Sequence, residues 1–168
     1  MKKFAILLIV VLFLAGCGVQ IPDSQGDQPP PRITADRAAV QQYWDQVRPI
    51  LDDTARDVAG VADVDVNFDG GNVSVGINPN AIQQAQRETR QGLEELKAIQ
   101  PPDGLEETHR RLITAYEEAL PALDNFIGAV QSGDAIRIAD SVRNDLPKIQ
   151  RLISEIDAVR QQLQQASN

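Results

Sequence analysis

From Ala35 onward, apolar residues recur every three or four positions in four long stretches, interrupted once by strict alternation. Val40, Tyr43, Val47, Ile50, Thr54 and Val58 form the first stripe, widened by Trp44 and Leu51. That spacing lines one face of a helix, with Thr34 as its predicted N-cap and Gly60 as its predicted stop. Pro49 falls inside it and predicts a bend or a later start. Ile82, Ala85, Thr89, Leu93, Leu96 and Ile99 predict a second helix, opened by Asn78-Pro79 and ended by Pro101-Pro102. A third follows on Leu105, His109, Leu112, Tyr116, Leu120, Leu123, Phe126 and Val130, with a stop and a new cap in Ser132-Gly133-Asp134. The fourth carries Ile138, Val142, Leu146, Ile149, Ile153, Ile156, Val159 and Leu163. Pro121 and Pro147 interrupt these last two helices at similar distances from Gly133, which predicts a shared bend in an antiparallel pair. The polar tail, Gln161–Asn168, is expected to fray.

The alternating stretch is Asp63 to Ile77. Val64, Val66 and Phe68 alternate with polar residues, and so do Val73, Val75 and Ile77. A two-residue turn centred on Gly70-Gly71 sets Phe68 opposite Val73, Val66 opposite Val75 and Val64 opposite Ile77, with all six on one face. The expected fold is therefore mainly α. It is an antiparallel up-down-up-down four-helix bundle over 35–168, with a β-hairpin at 63–77 inserted between helices one and two.

The region before Ala35 has a different composition. Lys2-Lys3 precede an unbroken apolar run of 11 residues, Phe4 to Leu14. A basic start, a short apolar core and small residues after it have the order of a secretory signal, and the run falls well short of the ~20 residues a spanning helix needs. The next residues, Leu14-Ala15-Gly16-Cys17, contain the chain's one cysteine. They resemble the bacterial lipobox, the cleavage and lipidation signal of bacterial lipoproteins. The resemblance implies removal of residues 1–16, acylation of Cys17 and attachment to a membrane outside the cytoplasm. Gly18 stands where an aspartate usually retains such proteins in the inner membrane, so a host with two membranes would sort this one to the outer. Residues 17–34 (CGVQIPDSQGDQPPPRIT) then read as a tether rich in Pro, Gly and Gln, extending up to ~3.1 Å per residue through its proline run.

Cleavage would leave 152 of the 168 residues, enough for one domain and a tail. It would also leave 14 of the 16 basic residues against 24 acidic ones, a formal charge of about −10 with His109 neutral. Such a surface repels nucleic-acid phosphates and anionic headgroups, so neither nucleic-acid binding nor polybasic membrane attachment is expected. Attachment rests on Cys17.

Candidate chemistry is sparse. His109, the lone histidine, sits on the apolar stripe of helix three, where a ring hydrogen-bonded to a neighbour or to backbone explains it without catalysis. The helical half is loosely similar in layout to haem-carrying four-helix cytochromes, but no second axial ligand and no Cys-x-x-Cys-His motif accompany it, so no cofactor is expected. Asp65, Asn67, Asp69 and Gly70 match the first half of a calcium loop. Position twelve is Gly76 instead of a bidentate carboxylate and position eight is Asn72, so the hairpin accounts for these residues and no metal is expected. Asp52, Asp53 and Asp57, and the pairs Glu94/Glu95, Glu106/Glu107 and Glu117/Glu118, read as solvated helix faces, with Arg110/Arg111 as i,i+4 partners of the middle pair. Of the neighbours Tyr43 and Trp44, one is expected inside and the other at the bundle's edge.

Leu93–Asp134 resembles a recurrent module of small uncharacterised bacterial lipoproteins, carried here by Pro101, Pro102, His109 and Gly133-Asp134. It implies a helical bundle and no particular activity. The expected function is a non-catalytic envelope module that binds another protein or envelope component. The competing reading is a small-ligand binder with a pocket near His109 and Tyr116, and Trp44 is a further candidate contact.

Overall fold

Five helices arise from these stripes. The computed structural model describes residues 33–62, 66–69, 72–76 and 78–167, leaving aside the side chains of both strands and of Pro79. The leader 1–16, Cys17 and the tether as far as residue 32 lie outside the described residues. So do Asp65, the Gly70-Gly71 turn and the side chains of Asn67 and Asp69, and with them the calcium-loop comparison.

Helix α1 spans Arg37–Ala62, α2 Pro79–Ala98 and α3 Glu106–Ser132. The expected fourth helix is two: α4, Ala135–Asn144, and α5, Leu146–Ser167. Asp145 separates them, its buried carboxylate accepting from Ser141 Oγ at 2.7 Å and from Asn125 Nδ2 at 3.3 Å. The Asp145 carbonyl then accepts the amides of Lys148 and Ile149, so the chain restarts as a new helix with Pro147 in its first turn, where a missing N–H is harmless. Pro49 and Pro121 behave differently: α1 and α3 run through them.

Four of the helices close a ring in which α1 packs on α2 and α5, and α3 packs on α2 and α5. Side-chain pairs fix the directions. Gln84 reaches Asp57 and Gln86 reaches Asp124, while Lys97 meets Glu117 at 2.8 Å. Arg111 meets Glu155, Arg151 meets Glu118, Arg160 meets Asp52, and Gln150 reaches the Ala62 carbonyl. Each neighbour around the ring therefore runs antiparallel to the next. The core between them is aliphatic and aromatic, with Tyr43, Leu51, Leu96, Leu112, Tyr116, Phe126, Ile149 and Leu152 nearly or fully buried. At roughly 1.5–3 kcal/mol per large apolar side chain, this burial is the main term holding the ring together.

Between α1 and α2, β1 (Val66–Asp69) and β2 (Asn72–Val75) pair antiparallel, Val66 opposite Val75 and Phe68 opposite Val73. β2 runs beside α4.

The helix ends revise several expectations. Asp36, not Thr34, caps α1, its carboxylate accepting the Ala39 amide at 2.9 Å. Thr34 is held elsewhere, against Gly104, which has a φ of +87° and where a Cβ would collide with the Thr34 hydroxyl and the Ala35 amide. Gly60 does not stop α1, because the helix continues for two more residues to Val61, which is fully buried, and Ala62. Asn78 caps α2 through the Asn80 amide, Gly133 ends α3 at φ +65°, and Asp134 caps α4. The tail is helical to Ser167, since Leu163 is fully buried and Ala166 packs against the core.

Candidate functional site

A buried polar contact between α1 and α3 lies at the end of the bundle where α1 begins. Tyr43 on the inner face of α1 meets His109, one turn into α3, ring edge to ring face with centroids 5.8 Å apart. Tyr43 Oη lies 2.8 Å from His109 Nδ1. The Leu96 carbonyl, in the last turn of α2, accepts the Ile99 amide that closes that helix, at 3.0 Å, and raises the proton affinity of the nearby His109 ring. His109 thus ties the start of α3 to α1.

Burial sets the electrostatics here. It lowers the His109 pKa from the usual histidine value, opposed in part by the Leu96 carbonyl. It raises the Tyr43 hydroxyl far above the usual tyrosine range. The two groups therefore stay neutral near pH 7. With His109 only 6% exposed, a substrate has little access to its ring. Tyr43→Phe should leave the His109 Nδ1 buried without its hydrogen-bond partner and destabilise the protein by about 1–3 kcal/mol, read as a lower urea midpoint at unchanged slope.

Tyr116 lies two turns beyond His109 along the same face of α3, fully buried, against Thr54 of α1 and Gly92 of α2. Its hydroxyl faces Thr54, and burial raises its pKa well above the usual tyrosine range. Gly92 makes that approach possible: a Cβ there would stand 2.9 Å from both Thr54 Oγ1 and Tyr116 Cε1. Trp44 is 7% exposed beside Tyr43 at 2%, so both aromatics are inside and neither marks an edge.

Two open grooves mark the surface. One, of about 340 Å³, is lined by Ala39, Gln42, Tyr43 and Gln46 of α1 and by residues 100–103, ending at Asp103. The other, of about 440 Å³, runs between α2 and α3 and includes Gln86, Arg87, Asp124 and Gly128. Neither is lined by His109, Tyr116 or Trp44; Tyr43 alone links the first groove to the histidine.

Several acidic residues form ion pairs, while Asp57 accepts from Gln84 and Glu106 from the Gly104 amide. Arg110 pairs with Glu107, three residues earlier. Arg111 instead crosses to Glu155 of α5 at 2.7 Å, a packing contact that helical spacing could not foretell. Asp52 holds Arg160 and Asp53 holds Arg56. Among the described residues no group of three His, Cys, Asp or Glu could hold a metal ion, and no helix is long and apolar enough to cross a membrane.

Sequence reasoning placed Tyr43 and His109 on their stripes but did not pair them, because 66 residues separate them. Asp145 also went unremarked; an aspartate two residues before a proline inside a stripe was its available signal. The chain matches no known family model, no curated protein and no solved structure.

Proposed function

We propose that the chain is a bacterial lipoprotein whose helical bundle is displayed outside the cytoplasm on an acylated Cys17 and serves as a non-catalytic binding module. One observation carries this reading: the order Lys2-Lys3, the apolar run Phe4–Leu14, and Leu14-Ala15-Gly16-Cys17. Cleavage falls between Gly16 and Cys17. Two or three acyl chains, each contributing about 0.8 kcal/mol per buried methylene, then hold the protein to the bilayer. The tether to residue 34 spaces the bundle from the surface, and the hairpin over 63–77 individualises this member. The partner is another protein or envelope component. Ile136, at 74% exposed on the helix that runs beside β2, offers it apolar surface.

Expression in a bacterium fed an alkyne fatty acid tests the anchor. The wild-type chain should take the label and begin at Cys17 by mass spectrometry. Cys17→Ala should take none and keep its leader. Label on the alanine variant, or an intact leader on an unlabelled wild type, overturns the assignment.

A further inference from the structure

We propose that the groove between α2 and α3 binds the C-terminal carboxylate end of an extended peptide. This rests on the binding-module reading above, and gives that module a contact surface and its partner a chemistry. The groove, of about 440 Å³, falls within the roughly 300–1,000 Å³ typical of small-ligand sites. It is built from one flank of each helix. Gln83, Gln86 and Arg87 stand at helical three-and-four spacing on α2, and Asp124, Ile127, Gly128 and Gln131 do so on α3.

Two independent observations point to an occupant from outside the domain. The first is Gly128. Glycine is the least favourable helix residue after proline, so one inside α3 calls for a reason. At Gly92 the neighbouring Thr54 and Tyr116 supply it. At Gly128 no described residue does, because a Cβ there would meet nothing within 4 Å. The missing side chain instead leaves room for a ligand main chain to lie against the helix. The second is Arg87. Asp124, on the other wall, accepts from the Gln86 amide, and no described carboxylate forms an ion pair with Arg87. In a chain with 24 acidic residues against 16 basic ones, this guanidinium stays open to a carboxylate, which it can grip with two parallel hydrogen bonds.

The walls select among ligands. A phosphate would be repelled by Asp124 and by the chain's net charge of −8. An acyl chain would find one large apolar side chain, Ile127, among polar walls, and a sugar ring would find no aromatic face. A carboxylate on a partner's side chain would satisfy Arg87 but hold its main chain away from Gly128. Only at a C-terminus does the main chain itself carry the carboxylate, so one terminal residue can meet both. The side-chain amides of Gln83 and Gln131 make no hydrogen bond among the described residues. Each offers a donor and an acceptor to the peptide groups that precede the terminus. The second oxygen of Asp124 accepts a peptide N–H.

Amide chemical-shift mapping on the full-length ¹⁵N-labelled protein in detergent tests it. The probes are N-acetyl-Gly-Gly-X peptides, with X Ala, Leu, Phe, Gln or Lys, and their C-terminal amides, up to about 10 mM. At least one free acid should shift the amides of 83–87 and 124–131 and saturate. Its amide should bind at least about tenfold more weakly, the weight of one charge-assisted hydrogen bond. Arg87→Gln should show the same loss at an unchanged melting temperature, since Arg87 is exposed. Gly128→Ala should melt higher than the wild type yet bind several-fold more weakly. Gly60 has the same open space but lines neither groove, so Gly60→Ala should melt higher and bind normally. No saturable shift with any acid, equal binding of acid and amide, or full binding by Arg87→Gln or Gly128→Ala overturns the proposal. Shifts centred around Ile136 instead would keep the binding module and remove the groove. Acyl labelling judges the anchor separately, so either can fail alone.

Discussion

Gly92→Val is expected to destabilise the protein by about 3 kcal/mol, and lower its melting temperature by about 10 °C, through overpacking alone. The position is buried in α2 and faces two walls that cannot retreat. An added Cβ would sit 2.9 Å from Thr54 Oγ1 and from Tyr116 Cε1, and 3.2 Å from Ile50 Cγ2. Thr54 and Tyr116 are 1% and 0% exposed, so neither can swing into solvent. Glycine inside a helix is itself unfavourable by roughly 1 kcal/mol against alanine. Its presence in α2 therefore reflects the close approach of α1 and α3 at this level. Gly92→Ala should lose less than the valine variant, because the propensity gain offsets part of the crowding. Gly60 provides the opposite sign: a Cβ there meets nothing within 4 Å. Gly60→Ala should raise stability by about 0.5–1 kcal/mol. Thermal unfolding followed by circular dichroism at 222 nm separates the three. A valine variant as stable as the wild type would show that the helices are not packed as closely as described.

The same contrast explains which parts of the fold were legible in the chain. Helices two and three announced themselves because their signals are local. Asn78-Pro79, Pro101-Pro102 and Gly133-Asp134 act on the backbone within one turn, whatever the rest of the molecule does. The prolines were harder to read, because their effect depends on what becomes of the carbonyl four residues earlier. Pro49, Pro121 and Pro147 are all exposed, as are Asp45, Glu117 and Arg143 four residues before them, yet only α1 and α3 continue through their prolines. At Pro147 the buried Asp145 carboxylate gathers Ser141 and Asn125, and the helix ends and begins again. Which proline breaks a helix was therefore decided by a tertiary contact, and Asn125 belongs to a different helix. The candidate site was legible to the same depth. The stripe put His109 on an apolar face, as one side chain among eight. Its partner Tyr43 on α1 is set by the ring arrangement of the helices, which periodicity does not encode.

Tyr116 separates the two functional readings by stability alone. Tyr116→Ala should be among the most damaging single changes, at about 3–5 kcal/mol, because the void would open beside the buried Ile50, Thr54 and Gly92. Tyr116→Phe removes only a hydroxyl that is fully buried and forms no well-made hydrogen bond. Burying such a group is unfavourable, so its loss should leave stability within about 1 kcal/mol of the wild type or raise it. That pattern, severe for alanine and mild for phenylalanine, marks a core side chain valued for its ring. A pocket tyrosine that positions a ligand would behave otherwise: its phenylalanine variant would fold normally and lose binding, and its alanine variant would unfold less readily than a core cavity requires. Urea denaturation of the three proteins at pH 7.5 gives the first comparison. A phenylalanine variant destabilised as much as the alanine one would mean that the hydroxyl is anchored, and a polar site would then have to be sought around Thr54.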